Sequence, residues 1–358
     1  MFIIIFVFIL GLLILVHELG HFIAAKKNGI MVEEFGFGLP PRLFGKKIGE
    51  TLYSINLLPI GGFVKLYGEE YWELTKTKTN AKLKNKAFYF KKPWQKASVV
   101  IAGVIGNFIL GWFLISFLFT KGVPTPTNKV FVERVLPNSP AYQAGLKEKD
   151  VITRIIKPPQ EEYPIKSVSN LTELTKKFAG EKIIIVIDRK GKIIQTEIIP
   201  RKNPPQNEGP LGVVITSFVE KKYPLYQAPF YGLAEAVNVT KQIIRELFRT
   251  VFKLVTFQKP KIEVTGPIGI ARYTNQAVRF GQNAVLELIA LLSLNLAVIN
   301  ILPFPALDGG RLIFVIYEWV TKRKVDENLE RNLNLVGIII LISLALIISI
   351  NDIIKIYK

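Results

Sequence analysis

Residues 1–16 carry no charged side chain, and the first ionisable groups after that run are His17, Glu18 and His21. A bilayer leaves such a stretch one option, because only a helix satisfies its own backbone there, and a span takes about 20 residues. If the helix continues, His17 and His21 lie four residues apart on one face, close enough to hold the same metal ion. Glu18 falls beside them, where a carboxylate can deprotonate water activated by that metal. The chain has two histidines in all and no cysteine, so any further ligand must be Asp or Glu. The same pattern on a solvated helix would be a pair of exposed polar groups. At the end of a hydrophobic helix, two imidazoles and a carboxylate are unfavourable unless coordinated or hydrogen-bonded. A secretory signal peptide is disfavoured because no basic side chain precedes the apolar run.

Three more apolar segments, at about 97–119, 284–302 and 335–350, join the first at about 1–25. The expected fold is a polytopic α-helical membrane protein with about four transmembrane helices. Its parts are an N-terminal membrane portion (1–120), a soluble α+β domain (128–218), an amphipathic helix with its connection (228–283) and a C-terminal membrane portion (284–358). The formal charge of +19 comes with no nucleic-acid-binding motif, so no nucleic acid partner is expected. Basic loops beside spans are expected where they face anionic lipid. The basic excess in 26–96 puts that loop and 321–334 on the cytoplasmic side, with the soluble domain and both termini opposite. The metal-binding residues then lie near the cytoplasmic ends of their spans.

Within the first loop, glycine and proline argue against helix at 34–41, and 52–57 and 63–67 read as two strands joined through Pro59, Ile60, Gly61 and Gly62. This hairpin is placed against the membrane, with an open edge on which an extended substrate could add a strand. Residues 75–92 are read as a mobile surface stretch. In the second span Gly103, Asn107 and Gly111 form a narrow stripe that permits close helix approach; Asn107 is interhelical glue or an active-site group, and the spacing favours glue. In the soluble part, Asn170 is expected to cap a helix ending at Phe178, and 182–188 and 192–199 to pair around a turn. Residues 230–257 show an apolar stripe opposite Arg245, Arg249 and Lys253, an amphipathic helix for a membrane surface or another domain. Residues 264–271 read as a structured loop. Pro303 and Pro305 must break the third span, and Asp308, beside Gly309 and Gly310, is the best available third metal ligand.

The His17-Glu18-x-x-His21 helix, Gly103-x-x-x-Asn107 and Asn300-x-x-Pro303-x-Pro305-x-Leu307-Asp308-Gly309-Gly310 together resemble the site-2 proteases, nearest to the bacterial regulator of sigma-E protease branch. Glu34-Phe-Gly-Phe-Gly38, Pro59-x-Gly-Gly62 and Gly266-Pro-Ile-Gly-Ile-Ala271 match stretches typical of that branch. The resemblance implies an intramembrane zinc metalloendopeptidase with one Zn2+ per chain, held by His17, His21 and Asp308, with Glu18 as general base. It also implies that Asn300 contacts an unwound substrate strand, near Pro303 and Pro305, and that the hairpin pairs with it through Gly61, Gly62 and Phe63. Asn107 would line the core. Substrates would be single-span membrane proteins shortened by an earlier cut, such as an anti-sigma factor or remnant signal peptides, in the bacterial inner membrane. Ser139-Pro-Ala141, Ala144-Gly-Leu146 and Asp150-Val-Ile152 are similar to a PDZ signature, implying one extracytoplasmic PDZ domain with 209–212 as its peptide-carboxylate loop. A helix-holding protein without activity, or a hydrolase of small or lipid-modified substrates, are the competing classes. The complete catalytic set argues against the first, and the PDZ-like domain and strand edge against the second.

Overall fold

The computed structural model describes residues 2–69, 81–159, 161–206, 208–256 and 266–357. In chain order the elements are α1 (Phe2–Lys27), β1 (Val32–Ile48), β2 (Thr51–Leu66), α2 (Pro93–Lys121), β3 (Val123–Val135), β4 (Val151–Lys157), β5 (Glu161–Pro164), α3 (Val168–Lys177), β6 (Ile183–Arg189), β7 (Lys192–Ile198), β8 (Val213–Lys221), α4 (Ala228–Val255), α5 (Pro267–Phe280), α6 (Gln282–Asn300), α7 (Asp308–Thr321) and α8 (Glu327–Tyr357). Single helical turns occupy Ala81–Lys84, Phe88–Phe90 and Pro140–Gln143. The chain divides into two units, one made of Met1–Thr120 with Pro224–Lys358 and the other of Lys121–Tyr223.

Among the described residues, four helices of the first unit are long and apolar enough to cross a membrane: Ile3–Lys27, Pro93–Lys121, Gln282–Asn300 and Asn328–Ile354. These are the four expected spans, and they make the chain a multi-pass membrane protein. Missing side chains let α1 and α2 approach closely. A Cβ on Gly20 would stand 2.2 Å from the Ala102 carbonyl oxygen, and one on Gly106 would stand 2.9 Å from that of Val16. Gly111 serves a different neighbour, since its Cβ would stand 2.7 Å from Leu294 on α6. Ile9, Leu13, Leu114, Ile115, Ile289 and Leu294 fill the space between α1, α2 and α6. The amphipathic α4 joins them through buried Ala236 and accepts the Trp112 indole N–H at the Pro229 carbonyl, 2.8 Å. Phe248, Val251 and Phe252 on its far half are exposed.

The β region differs from the expected hairpin. The turn lies at Gly49 and Glu50, between β1 and β2, rather than at 59–62. Residues 52–55 and 62–65 do not pair with each other. Both flank the start of β1, with Glu34 opposite Leu52 and Lys65, and Phe37 opposite Ile55 and Gly62. Gly36, Gly38, Pro40 and Pro41 hide the strand character of 34–41, so the sequence pattern alone joins its two flanks to each other. Gly62, Phe63 and Val64 have a β partner on one side only among the described residues. Of the stretch expected to be mobile, 75–80 lies outside the described residues. Residues 81–92 are held in place instead: Phe88 and Tyr89 donate their N–H groups to Tyr67 and Gly68, and Ala87 is fully buried.

After α6 the chain breaks at 301–307, as Pro303 and Pro305 require. Ala306 adopts φ 72°, and its N–H donates to Asn334 Oδ1 on α8 at 3.1 Å. The break folds tightly onto the start of α7, where a Cβ on Gly309 would stand 2.1 Å from the Leu302 oxygen and one on Gly310 would stand 2.3 Å from that of Phe304. The expected loop at 264–271 is also corrected. Residues 264 and 265 lie outside the described residues, and Pro267 opens α5, where its missing N–H is harmless.

The second unit is an antiparallel sheet in the order β7-β6-β4-β3-β8, with β5 on β4. The β6–β7 pair around Lys190 and Gly191 matches expectation. The helix cap does not: Ser167, not Asn170, accepts from the Asn170 N–H at 3.1 Å, so α3 begins earlier. Val130, Ile152, Ile155, Leu171, Ile183 and Ile185 form the core. Buried Asp150 accepts from Arg189 Nε and Nη2, each at 2.7 Å, and from the Lys147 N–H at 2.8 Å.

One contact outside the spans' apolar faces is testable. Gly266 begins α5 without a side-chain cap of its own, and buried Asp352 of α8 supplies it, accepting from the Gly266 and Gly269 N–H groups at 2.9 Å each. Asp352→Ala is expected to cost about 1–2 kcal/mol, the usual worth of a lost cap. The readout is the melting temperature of the detergent-purified protein, with Asp352→Asn, which keeps an acceptor oxygen, falling between.

Candidate active site

His17 and His21 stand one helical turn apart on α1, and their Nε2 atoms are 3.2 Å from each other. The first residue of α7 completes the group: Asp308 Oδ2 lies 3.0 Å from His17 Nε2 and 3.3 Å from His21 Nε2. Nothing local brings Asp308 there. It depends on the break at 301–307, which turns the chain so that α7 starts against α1.

The protonation pattern follows from the neighbours. His21 Nδ1 is 2.8 Å from the Val99 carbonyl, which can only accept, so Nδ1 carries a proton and the neutral ring presents its lone pair at Nε2. That lone pair faces Asp308 Oδ2, a buried acceptor without a hydrogen-bond partner among the described residues. With neutral rings, acceptor faces acceptor in a largely buried site, an arrangement that a shared cation relieves. The spacing suits one. Donors bound at about 2.1 Å in a tetrahedron are about 3.4 Å apart, against the 3.0–3.3 Å found here. His17, His21 and Asp308 are also the one His/Asp/Glu group among the described residues close enough to share an ion.

Two asparagines reach His17. Asn300 Nδ2 lies 3.3 Å from His17 Nε2, and Asn107 Nδ2 lies 3.4 Å from His17 Nδ1. Asn107 is fully buried and its Oδ1 lacks a partner. Turning the amide over would let Oδ1 accept from His17 Nδ1–H, which satisfies the orphan and gives His17 the tautomer of His21. The backbone oxygen of Asn107 accepts from Ser293 on α6 at 2.8 Å, so this residue also ties two spans together.

A cavity of about 440 Å³ opens from this cluster, lined by His17, Glu18, His21, Phe63, Asp308 and Arg311 among others. Gly62 lies at its edge, where a Cβ would stand 3.4 Å from Glu18 Cγ. The Phe63 ring covers Gly36, whose absent side chain makes room for it. Gly61 faces Leu39 instead, and Pro303 and Pro305 shape the break without lining the cavity. Sequence reasoning missed two contributors. The Val99 carbonyl has no signature in sequence. The spacing of Gly103 points only to helix packing, whereas this residue floors the site: a Cβ there would stand 2.4 Å from His21 Nε2 and 2.7 Å from His17 Cε1.

Gly103→Ala is accordingly expected to displace both imidazoles and weaken metal binding at least tenfold while the helices persist. Competition with a metal-chelating dye measures it. Gly111→Ala, whose added methyl meets Leu294 on α6 and neither imidazole, is expected to leave affinity unchanged.

Comparison with known proteins agrees with the chemistry of this donor set. Residues 5–344 match peptidase family M50. A Clostridium perfringens protein is 34% identical over 344 residues, covering 96% of this chain and 95% of its own. The zinc metalloprotease RasP of Shouchella clausii is 30% identical, with 99% of each chain covered. The regulator of sigma-W protease RasP of Bacillus subtilis is 28% identical, with 98% of each covered. The chain belongs to peptidase family M50 and is an intramembrane zinc metalloprotease of the site-2 type.

Proposed function

We propose that His17, His21 and Asp308 hold the zinc ion and that Glu18 is the general base for hydrolysis of a peptide bond within a substrate's transmembrane segment. The carrying observation is the convergence of three lone-pair donors in one cavity with Glu18, beside the edge at Gly62–Val64, which has no second β partner among the described residues. Bound zinc supplies an acidified water and polarises the scissile carbonyl. Glu18 takes the proton from the attacking water and returns it to the leaving amide nitrogen. Asn107 orients His17 from the side away from the metal, and Asn300 holds the unwound substrate beside it. A substrate helix must release its backbone before it can be cut, and the freed N–H and C=O groups need partners at membrane depth. The edge at Gly62 and Phe63 provides them by strand addition.

The substrate class is a single-span membrane protein shortened by an earlier cleavage, with an anti-sigma factor or a remnant signal peptide as the two candidates. The name of the Bacillus subtilis relative, regulator of sigma-W protease, supports the former. The second unit acts as a single extracytoplasmic PDZ domain and takes a peptide C-terminus. In its support, β8 is the sheet's edge strand, α3 lies next to it, and the 209–212 turn leads into it. The protein works in the bacterial inner membrane with its catalytic centre near the cytoplasmic side, as the basic loop at 26–96 favours.

Glu18→Gln tests the mechanism because it keeps shape and ligands but removes the base. With a model single-span substrate, the variant is expected to retain one zinc per chain and lose about 10²–10⁴-fold in turnover. Equal cleavage by both proteins would exclude Glu18 as the base.

A further inference from the structure

One face of α7 presents Asp308, Arg311, Val315 and Glu318 to the catalytic cavity, spaced by whole helical turns. Each charged member pairs with a different element. Asp308 meets the imidazoles of α1. Glu318 pairs with Lys96 of α2 at 2.8 Å. Arg311 pairs with Glu69, three residues beyond the end of β2.

The two outer ties differ in kind. The Lys96 and Glu318 side chains are 6% and 17% exposed, so parting them would strand a buried charge; this tie belongs to the fold. Arg311 and Glu69 are 51% and 25% exposed, a setting in which an ion pair adds little to stability. Yet the pair spans 242 residues of sequence and begins one turn from Asp308. It joins the helix that carries a zinc-ligand carboxylate to the segment leaving strand 61–66. A weak bond at that place fixes a distance more than it supports a fold.

We propose that Arg311 and Glu69 are positioning residues for the proteolytic reaction: their ion pair sets strand 61–66 at a defined offset from Asp308 and so selects which peptide bond meets the catalytic groups. The inference rests on substrate adding to that strand. Successive residues of a paired strand are about 3.3 Å apart, so a comparable slip of the strand against α7 presents the neighbouring bond. Arg311 acts here through the strand and not on the reacting atoms.

The test uses the full-length protein and a single-span substrate, with products read by mass spectrometry. The wild type is expected to cut one bond. Arg311→Ala and Glu69→Ala are each expected to cut two or more adjacent bonds, with KM raised about tenfold, kcat within about threefold and one zinc per chain retained. The double variant should be no worse than either single one, as members of one pair require, and Arg311→Lys should restore the single cut. An unchanged cut site and KM, additive effects, or loss of zinc from Arg311→Ala would overturn the proposal. The strand reading is checked separately. The chain has no cysteine, so Lys65→Cys in a Glu18→Gln background gives one defined cross-linking point for a cysteine-bearing substrate. No cross-link overturns strand addition itself, and the proposal with it. A cross-link together with an unchanged cut site in the Arg311 and Glu69 variants overturns the clamp alone.

Discussion

Three electron-pair donors held at 3.0–3.3 Å from one another, with side chains 9–15% exposed, form the constraint on which the membrane unit depends. A shared cation relieves the repulsion among these donors, and the backbone holds them where one can bind. Gly20 and Gly106 bring α1 and α2 into backbone contact, and Gly103 clears the space under the imidazoles. The Val99 carbonyl then settles the tautomer of His21. These features act together. A side chain at 103 would push the rings away, and a wider helix separation would take Val99 out of reach.

The third donor is placed by a defect. A helix broken at membrane depth frees backbone groups that lipid cannot satisfy, so such a break survives only where protein covers it. Here the cover is specific: Asn334 accepts the Ala306 N–H, and a Cβ on Gly337 would stand 2.5 Å from the Pro305 oxygen. Gly309 and Gly310 let α7 begin directly on the broken segment. The largely exposed α8, which also caps α5 through Asp352, thus contributes at this point to holding Asp308 in place.

What could be read from sequence follows from the range of the forces involved. The four spans were legible because bilayer thickness imposes a length on each of them. The His17–Glu18–His21 face was legible because helical period alone sets it, and Asp308 because the chain has no other imidazole or thiolate to offer. The strand at 34–37 was hidden. Its glycines and prolines obscure alternation, and its partners lie on both sides, from two distant parts of β2. The cap of α3 was misplaced by three residues because Ser167 and Asn170 are both good capping types and only geometry chooses between them. Asp352 capping α5, and Arg311 meeting Glu69, join segments that no local pattern connects.

Asn107 shows why glue and active-site roles were a false choice. Its spacing from Gly103 and Gly111 marks a packing stripe, and its backbone oxygen does bond Ser293 across to α6. Its side chain, on the same turn, reaches His17. In a membrane interior the two roles reinforce each other, since a buried amide must find partners, and an imidazole needing orientation is one of the few available. The same economy applies at Gly62. Lacking a side chain, it lets the strand edge approach α1 beside Glu18, so the groups proposed to receive the substrate backbone and the proposed base share one short stretch of contact. An edge strand in a soluble protein is usually blunted against unwanted pairing. Here the edge at Gly62 and Phe63 has no second β partner among the described residues and lies beside the cavity, which is where an unwound substrate would need it.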